Sequence, residues 1–148
     1  MADLQRLRYT EQVVLESMRL YPPVWGISRA ALQDCEVGGY QISAGTTVFL
    51  SQWVIHRDSR FFDNPEAFNP DRWADNLKKR LPTSAYFPFG GGPRICIGKA
   101  FAQMEAVLLL ATIAQRFRLI VQKDQKVLLQ PSITLRPKYG LKMLLKKQ

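Results

Sequence analysis

The side chains best suited to chemistry lie in one glycine-rich segment, residues 87–105, which reads FPFGGGPRICIGKAFAQME. The segment holds Cys96, one of two cysteines in the chain, and four of its nine glycines. Glycine loses more conformational entropy on folding than any other residue. Such a density therefore indicates a main chain that turns tightly, or approaches another group closely, around this sulfur.

A phosphate-binding loop is the first alternative for this segment, because GPRICIGKA ends in Gly-Lys-Ala. That motif requires four residues between its two glycines and a Ser or Thr after the lysine. Here Gly92 and Gly98 enclose five residues, and Ala100 follows Lys99. The phosphate-binding interpretation therefore fails.

Metal and nucleophile sites are the next alternatives. Cys35, His56 and Cys96 are scattered and the chain has no C-x-x-C motif, which argues against zinc and iron–sulfur sites. A Cys–His nucleophile pair stays open, since its partners need only meet in space. Nothing in the surrounding VIHRDS marks His56 as a base, so we interpret it as a structural histidine.

What remains is a sulfur at the start of an apolar helix. The unpaired amides and the dipole of a helix N-terminus lower the pKa of a thiol and stabilise the thiolate. Glycines 90–92 allow the backbone to lie flat against a broad partner, and Arg94 adds a cation two residues before Cys96. A thiolate, a flat apolar neighbour and an arginine for a carboxylate suit the proximal side of a haem.

A second constellation combines one acid with two arginines. Glu16 and Arg19 are three residues apart in a helical pattern and share a face, which in isolation most often means a solvated pair worth about 0.2–0.5 kcal/mol. If the pair is buried, it needs a third polar group to satisfy its spare donors. Arg72, held between Pro70 and Trp73 in FNPDRW, offers that group, although alone it would be read as a surface residue.

Local patterns predict the elements that position these residues. A first helix ends near Leu20, where Pro22 and Pro23 stop it, and its apolar side chains recur at helical spacing at Leu4, Leu7, Val14, Met18 and Tyr21. Short strands follow in GISRA, CEV, YQI and TTVFL, with a turn at residues 38–39. Residues 59–81 lack a pattern and contain several prolines, which indicates a loop-rich stretch.

The segment after the cysteine is predicted to contain one helix and several strands. Residues 99–117 form a helix that is apolar on nearly all sides, so we expect it to be deeply buried. The tail has short apolar runs at 127–129, 133–135 and 141–145 around Pro131 and Pro137, which suits hairpin strands.

Charge and composition restrict the function classes. The chain has 148 residues and a net charge of +9, and all the excess follows Pro93, where eleven basic residues face two acidic ones. This favours an anionic ligand or an acidic partner, and no zinc-finger, RRM or KH signature supports nucleic acid binding. Without a leader, a spanning apolar run or a disulfide framework, we expect a soluble protein of a reducing compartment, the cytoplasm.

These motifs together resemble the cytochrome P450 family. The family's cysteine signature, F-x-x-G-x-R-x-C-x-G, is matched in full from Phe89 to Gly98. Its E-x-x-R motif is matched by residues 16–19, and PDRW at residues 70–73 is similar to its P-E-R-F motif, with Asp and Trp in place of the commoner Glu and Phe. LYPPV and HRD also occur in the family's order.

The resemblance implies roles for individual residues. Cys96 would be the axial ligand of the iron of haem b, and Arg29 and Arg94 would pair with the haem propionates. Phe89 would pack beside the sulfur and shield it. The remaining members of the implied set are Gly90 and Gly98 in the cofactor loop and the buried triad Glu16, Arg19 and Arg72, which would lock that loop.

The resemblance also implies a fold and a function. The fold would be α+β, the mainly helical C-terminal part of a cytochrome P450 with short β-hairpins, as one partial domain over residues 1–148. The activity would be insertion of one oxygen atom of O2 into an apolar substrate, with an acidic ferredoxin-, flavodoxin- or reductase-like donor on the basic face near Lys99.

The resemblance extends to only part of the family's fold. The distal helix and its acid–alcohol pair are not matched, so no residue is assigned to proton delivery, and we expect poor folding and weak haem binding by the chain alone. The alternative function is a non-catalytic haem-binding fragment or an inactive remnant.

Overall fold

The computed structural model describes residues 6–148 and has an α+β architecture, which confirms the predicted fold class. The helices are α1 Arg8–Leu20, α2 Gln52–Ile55, α3 Leu77–Arg80 and α4 Lys99–Ala114, with short 3-10 helices at Pro70–Trp73 and Gly92–Arg94. The strands are β1 Ile27–Ala30, β2 Cys35–Val37, β3 Tyr40–Ile42, β4 Thr47–Leu50, β5 Phe117–Val121, β6 Leu129–Pro131, β7 Leu135–Pro137 and β8 Met143–Lys147. Residues 6–148 contain no helix that is both long enough and apolar enough to cross a bilayer.

Helix α1 ends at Leu20, as its proline stop predicts. Tyr21 leaves the helical region, with φ −129°, and the two prolines after it cannot continue the ladder of backbone hydrogen bonds. The helix buries Val14, Leu15 and Leu20 together with Glu16 and Arg19, so its inner face is partly ionic. Leu4, which the sequence pattern assigned to this helix, lies outside the described residues.

The strands form separate two-stranded antiparallel sheets, in the order β1–β4, β2–β3, β5–β8 and β6–β7. The strands expected between α1 and α2 are confirmed, with Arg29 opposite Val48 in the first pair. The expected tail strands are present with shifted bounds. Strand β5 was not predicted: Phe117, expected to end a helix, instead begins a strand that pairs with Lys147. A short apolar run at the end of a helical pattern is equally compatible with a further helical turn and with a strand.

The core lies between α1 and the loop-rich stretch that precedes the cysteine loop. Leu15 packs with Phe62 and Trp73, and all three are buried. The ring of Trp73 lies 4.6 Å from that of Tyr86, measured between centroids. Aromatic packing therefore orders a segment in which neither helical nor strand periodicity is visible.

The prediction that α4 is deeply buried is wrong for this chain. Only Val107 and Ala111 are buried in it, whereas Phe101 is 63% and Leu109 56% exposed. The reason is that α1 packs along one side of α4, while the described residues supply no comparable cover for its other apolar faces. Apolarity on all sides shows that a helix suits burial, but the neighbouring elements decide whether it is buried.

We predict different costs for two leucine truncations. Leu15→Ala leaves a cavity beside Phe62 and Trp73, so the free energy of unfolding should fall by about 2–5 kcal/mol. Leu109→Ala, at an exposed position of α4, should change it by less than about 0.5 kcal/mol. Urea unfolding followed by tryptophan fluorescence measures both. Equal losses would place the core elsewhere.

Candidate functional site

Cys96 opens into a recess between the end of α1, strand β1 and the cysteine loop, with a cavity volume of about 370 Å³. Arg29 and Arg94 line the recess, and apolar side chains such as Val24 and Phe89 line it too. The structure therefore brings together one thiol, two guanidinium groups and an apolar surface. The volume falls in the range of about 300–1,000 Å³ found for small-molecule pockets.

The cysteine loop is bent by two glycines in the left-handed region. Gly90 has φ +75° and Gly92 has φ +66°, conformations that residues with a Cβ rarely adopt. The backbone N–H of Cys96 donates to the carbonyl of Phe89 at 3.0 Å, which closes the bend. Gly98 differs, since its φ of −80° makes no demand for glycine and it does not line the recess. A Cβ there would lie 3.9 Å from the Cys96 sulfur, an ordinary contact.

Both recess arginines are free of carboxylate partners within residues 6–148. Arg29 lies on β1 and donates through Nη1 to the carbonyl of Ser28 at 2.8 Å. Arg94 ends the short 3-10 helix after the glycines, and both side chains are exposed. Two cations with spare donors beside one apolar surface suit a ligand that is apolar in its body and anionic at its edge.

Glu16 lies at the centre of a buried polar cluster behind this recess, and its side chain is fully buried. Its Oε1 accepts from Arg19 Nη2 at 2.9 Å and from Arg72 Nε at 3.0 Å. The backbone N–H of Asn69 also donates to Oε1, at 2.9 Å. Its Oε2 accepts from Arg19 Nε and from Trp73 Nε1, each at 2.9 Å. The structure thus joins Glu16, Arg19 and Arg72 in one cluster, and adds Trp73.

Arg19 is also fully buried and uses all of its donors. Besides two bonds to Glu16, it donates from Nη1 to the carbonyls of His56 at 2.9 Å and Pro65 at 2.6 Å. Its Nη2 donates to the carbonyl of Ala67 at 3.0 Å. A guanidinium has five N–H groups, so none is left without an acceptor. Arg19 therefore ties the carboxylate to three carbonyls in two later segments, at His56 and at residues 65–67.

Arg72 secures the opposite side of the cluster. Its side chain is only 8% exposed, so the surface interpretation of this residue is wrong. Its Nη1 donates to the carbonyl of Asp63 at 2.9 Å and its Nη2 to that of Ala67 at 3.3 Å. These bonds fold the loop around residues 63–67 back onto the guanidinium.

The electrostatics of the cluster favour an ionised Glu16. Burial raises the pKa of its carboxyl, but hydrogen bonds from Arg19, Asn69 and Arg72 outweigh that effect, and the pKa lies below its usual value. Glu16 is therefore an anion at neutral pH, which compensates the buried guanidinium of Arg19.

His56 is buried and does not line the recess that Cys96 lines. Its Nε2 accepts the backbone N–H of Phe87 at 3.0 Å. Burial lowers the pKa of this imidazole to about 4, so it is neutral at pH 7. The structure does not bring His56 to Cys96 as a base. Residues 6–148 also contain no cluster of His, Cys, Asp and Glu side chains arranged to hold a metal ion.

Sequence reasoning did not identify two residues that support the site. Trp73 donates to Glu16, and its place directly after Arg72 in FNPDRW was the available signal. Gln52 is fully buried and donates through Nε2 to the carbonyl of Phe87 at 3.3 Å. Nothing in the local sequence marks Gln52, because a contact across 35 residues has no local pattern.

Comparison with known proteins places these features in a family. The family model described as Cytochrome P450 matches residues 1–145. Cyclooctatin synthase of Streptomyces melanosporofaciens is 40% identical, over 90% of this chain and 29% of that protein. Human Cytochrome P450 4V2 is 41% identical, over 99% of this chain and 28% of that protein. The chain belongs to the cytochrome P450 family.

Solved structures agree. A retinoic acid-bound cyanobacterial CYP120A1 superposes with a TM-score of 0.91 and 34% identity, over 98% of this chain and 34% of that one. A cytochrome P450 heme domain gives a TM-score of 0.89 at 32% identity, over 98% of this chain and 32% of that one. The chain thus spans about a third of these structures and 28–30% of the curated relatives. Membership of the family implies a haem cofactor.

We predict that Glu16→Gln and Glu66→Gln differ strongly in stability. Glu16→Gln leaves buried Arg19 without its anion, so the free energy of unfolding should fall by about 3–5 kcal/mol. Glu66→Gln is the matched control: its side chain is 75% exposed and pairs with Arg57 at 3.2 Å, an interaction worth at most about 1 kcal/mol. Urea unfolding at pH 7 compares them. A Glu16→Gln chain as stable as the control would show that the cluster does not hold the fold.

Proposed function

We propose that this chain provides the cysteine-ligand side of a haem-thiolate monooxygenase. The observation that carries the proposal is that Cys96 shares its recess with Arg29, Arg94 and Phe89. A recess with a sulfur ligand, two cations and an apolar wall matches haem b, which has an iron, two carboxylates and a flat apolar ring. The chemistry of the donor set therefore fits the cofactor that the family implies.

Each residue has a role in this proposal. Cys96 would be the axial ligand, and Arg29 and Arg94 would pair with the propionates. Gly90, bent at φ +75°, would keep the loop backbone clear of a flat ring, and Phe89 would limit water at the sulfur. Gly98 would belong to the cofactor loop as a close neighbour of the sulfur. The cluster of Glu16, Arg19 and Arg72 would hold the segments that carry the recess.

Haem bound through a cysteine thiolate supplies oxygen activation, because electron donation by the sulfur favours O–O bond cleavage. The chain's own residues bind and orient the cofactor, and none is assigned to proton delivery. We propose one partial domain over residues 1–148. The substrate class would be apolar, as the family resemblance implies and in keeping with the retinoic acid named for CYP120A1. The apolar lining of the recess at Met18, Val24 and Ile27 is assigned to the haem ring.

A second candidate is a non-catalytic haem-binding fragment or an inactive remnant. The apolar side chains left exposed on α4 favour it, because a complete catalytic domain buries such a helix. The two candidates share cofactor binding and differ in substrate turnover, so haem ligation is the first property to test.

We predict that ligation depends on Cys96 and not on Cys35, although both thiols are exposed and unpaired. The chain should be loaded with haemin, reduced with dithionite and treated with CO. The expected result is a red-shifted, thiolate-type Soret band that survives in Cys35→Ser and disappears in Cys96→Ser. Retention of that band in Cys96→Ser would refute the proposed function. Oxidation of an apolar probe by the loaded chain then separates a catalyst from a binding fragment.

We also propose that an acidic electron donor docks on a basic surface near Lys99. Partial burial lowers the pKa of Lys78, and so does the positive charge of Lys99, which supports a basic surface that includes both lysines. Lysines gathered on one surface attract an acidic partner, and that attraction is screened by salt.

For this donor, Lys99→Glu should weaken binding of a reduced ferredoxin to the haem-loaded chain by about tenfold at low salt. The effect should shrink as ionic strength rises, because screening removes it. Lys146→Glu, on β8, is the control for a change in net charge alone. Equal weakening by both variants would leave only a non-specific effect of charge and would contradict the proposed surface.

A further inference from the structure

The backbone N–H and the backbone carbonyl of Phe87, at the start of the cysteine loop, are both held by side chains of α2 and its C-terminal cap. His56 Nε2 accepts the N–H of Phe87 at 3.0 Å, and Gln52 Nε2 donates to its carbonyl at 3.3 Å. Both side chains are fully buried. We name this pair the Phe87 clamp.

The clamp requires a neutral histidine in one tautomer. Because Nε2 accepts a hydrogen bond, the ring proton must lie on Nδ1. Burial keeps the ring neutral at pH 7, since its pKa is lowered to about 4. The ring is also wedged between aromatic neighbours, with centroids 5.1 Å from Tyr86 and 5.4 Å from Phe87. Its orientation is therefore set by packing as well as by hydrogen bonding.

The proton on Nδ1 of His56 needs an acceptor. The backbone carbonyls of Arg19 and Met18 act on this ring as hydrogen-bond acceptors and raise its pKa, against the larger, opposite effect of burial. The histidine is therefore held towards the end of α1 as well as towards Phe87.

The clamp is the only hydrogen-bonded link from residues 87–98 to any described element except α4. The other bonds of this segment are internal turns, such as Gly90 to Phe87 and Cys96 to Phe89, or lead into α4. Phe87 therefore joins the first end of the loop that carries the sulfur to the fold, and α4 joins the other end.

The clamp also connects the loop to the buried polar cluster. The carbonyl of His56 accepts from Arg19 Nη1 at 2.9 Å, while the ring of the same residue holds Phe87. Three successive contacts therefore lead from the Glu16 carboxylate through Arg19 and His56 to the first peptide of the loop.

We propose that His56 and Gln52 are positioning residues for Cys96. Together they fix the backbone N–H and carbonyl of Phe87, the residue at which the cysteine loop begins. Neither side chain lines the recess, so they act through the backbone and not by touching a ligand. The inference rests on the proposed function in one respect: the position of Cys96 matters for ligation by its thiolate. The hydrogen bonds of the Phe87 clamp to the loop do not depend on the cofactor.

The first test measures backbone hydrogen exchange in the haem-free chain. His56→Phe keeps a ring of similar size but removes the acceptor, and Gln52→Met keeps the length but removes the amide. Each should speed exchange of the Gly90 and Cys96 amides about tenfold, which corresponds to about 1.4 kcal/mol. Amides of α1 should exchange as before. His56→Gln, which retains an acceptor, should stay near the parent rate, and Val54→Ala, at an exposed position of α2, is the control.

Several results would overturn the inference. Unchanged exchange in the loop would do so, and so would equal acceleration in α1, since that indicates general loss of stability. If His56→Phe does not fold, Gln52→Met decides by the same criteria, because it removes only the bond to the Phe87 carbonyl.

The second test uses the haem-loaded, reduced and CO-treated chain. The thiolate-type fraction of the Soret absorbance should fall at least twofold in His56→Phe and be restored in His56→Gln. A loop that loosens without any loss of that fraction would overturn the positioning role. Faster loop exchange in a chain whose parent shows no thiolate-type band at all would support the clamp and refute the proposed function instead.

Discussion

One ionised carboxylate, that of Glu16, organises the structure around it. It is fully buried and accepts five hydrogen bonds, from Arg19, Arg72, Trp73 and the backbone of Asn69. A buried anion is tolerated only when such donors replace its hydration. Here the donors come from α1 itself and from residues 69–73. The requirement to satisfy one side chain therefore draws residues 69–73 onto α1 and orders a stretch that forms no more than the short 3-10 helix Pro70–Trp73.

The arginines extend this constraint through the backbone. Arg19 binds the carbonyls of His56, Pro65 and Ala67, so the cluster recruits main-chain groups that would otherwise be buried without partners. Through His56 the same network reaches Phe87, where the cysteine loop begins. Cys96 is thus exposed on a loop bent by glycines, whereas the groups that hold the loop are buried and polar. In the proposed function, this separation would let the sulfur face a ligand while its support stays out of water.

Two exposed apolar surfaces stand out, one on α4 and one in the recess around Cys96. The chain spans 28–30% of the length of its curated relatives, and α4 carries apolar side chains on faces that no described element covers. The recess around Cys96 combines an apolar surface with two arginines that have no carboxylate partner among residues 6–148. Helix α4 has few polar positions, among them Gln103, Glu105 and Thr112, and they do not gather on one face, so its burial depends on which neighbours are present. The fold and the recess are features of the described residues. The monooxygenase activity remains a proposal, because the chain spans less than a third of the length of its curated relatives.

Local signals in the sequence were sufficient for α1 and its proline stop, for the hairpin strands before α2, for the bent glycine loop and for the choice of Cys96, Glu16, Arg19 and Arg72 as residues of interest. Each of these depends on backbone conformation or on motif spacing, which neighbouring residues determine. Only the tertiary structure decided three features: the limited burial of α4, the pairing of β5 with β8, and the hydrogen bonds of His56 and Gln52 to the backbone of Phe87. These depend on contacts between residues far apart in the chain. Such contacts are set by the packing of whole elements and by the need to satisfy every buried polar group, and a short stretch of sequence carries no record of them.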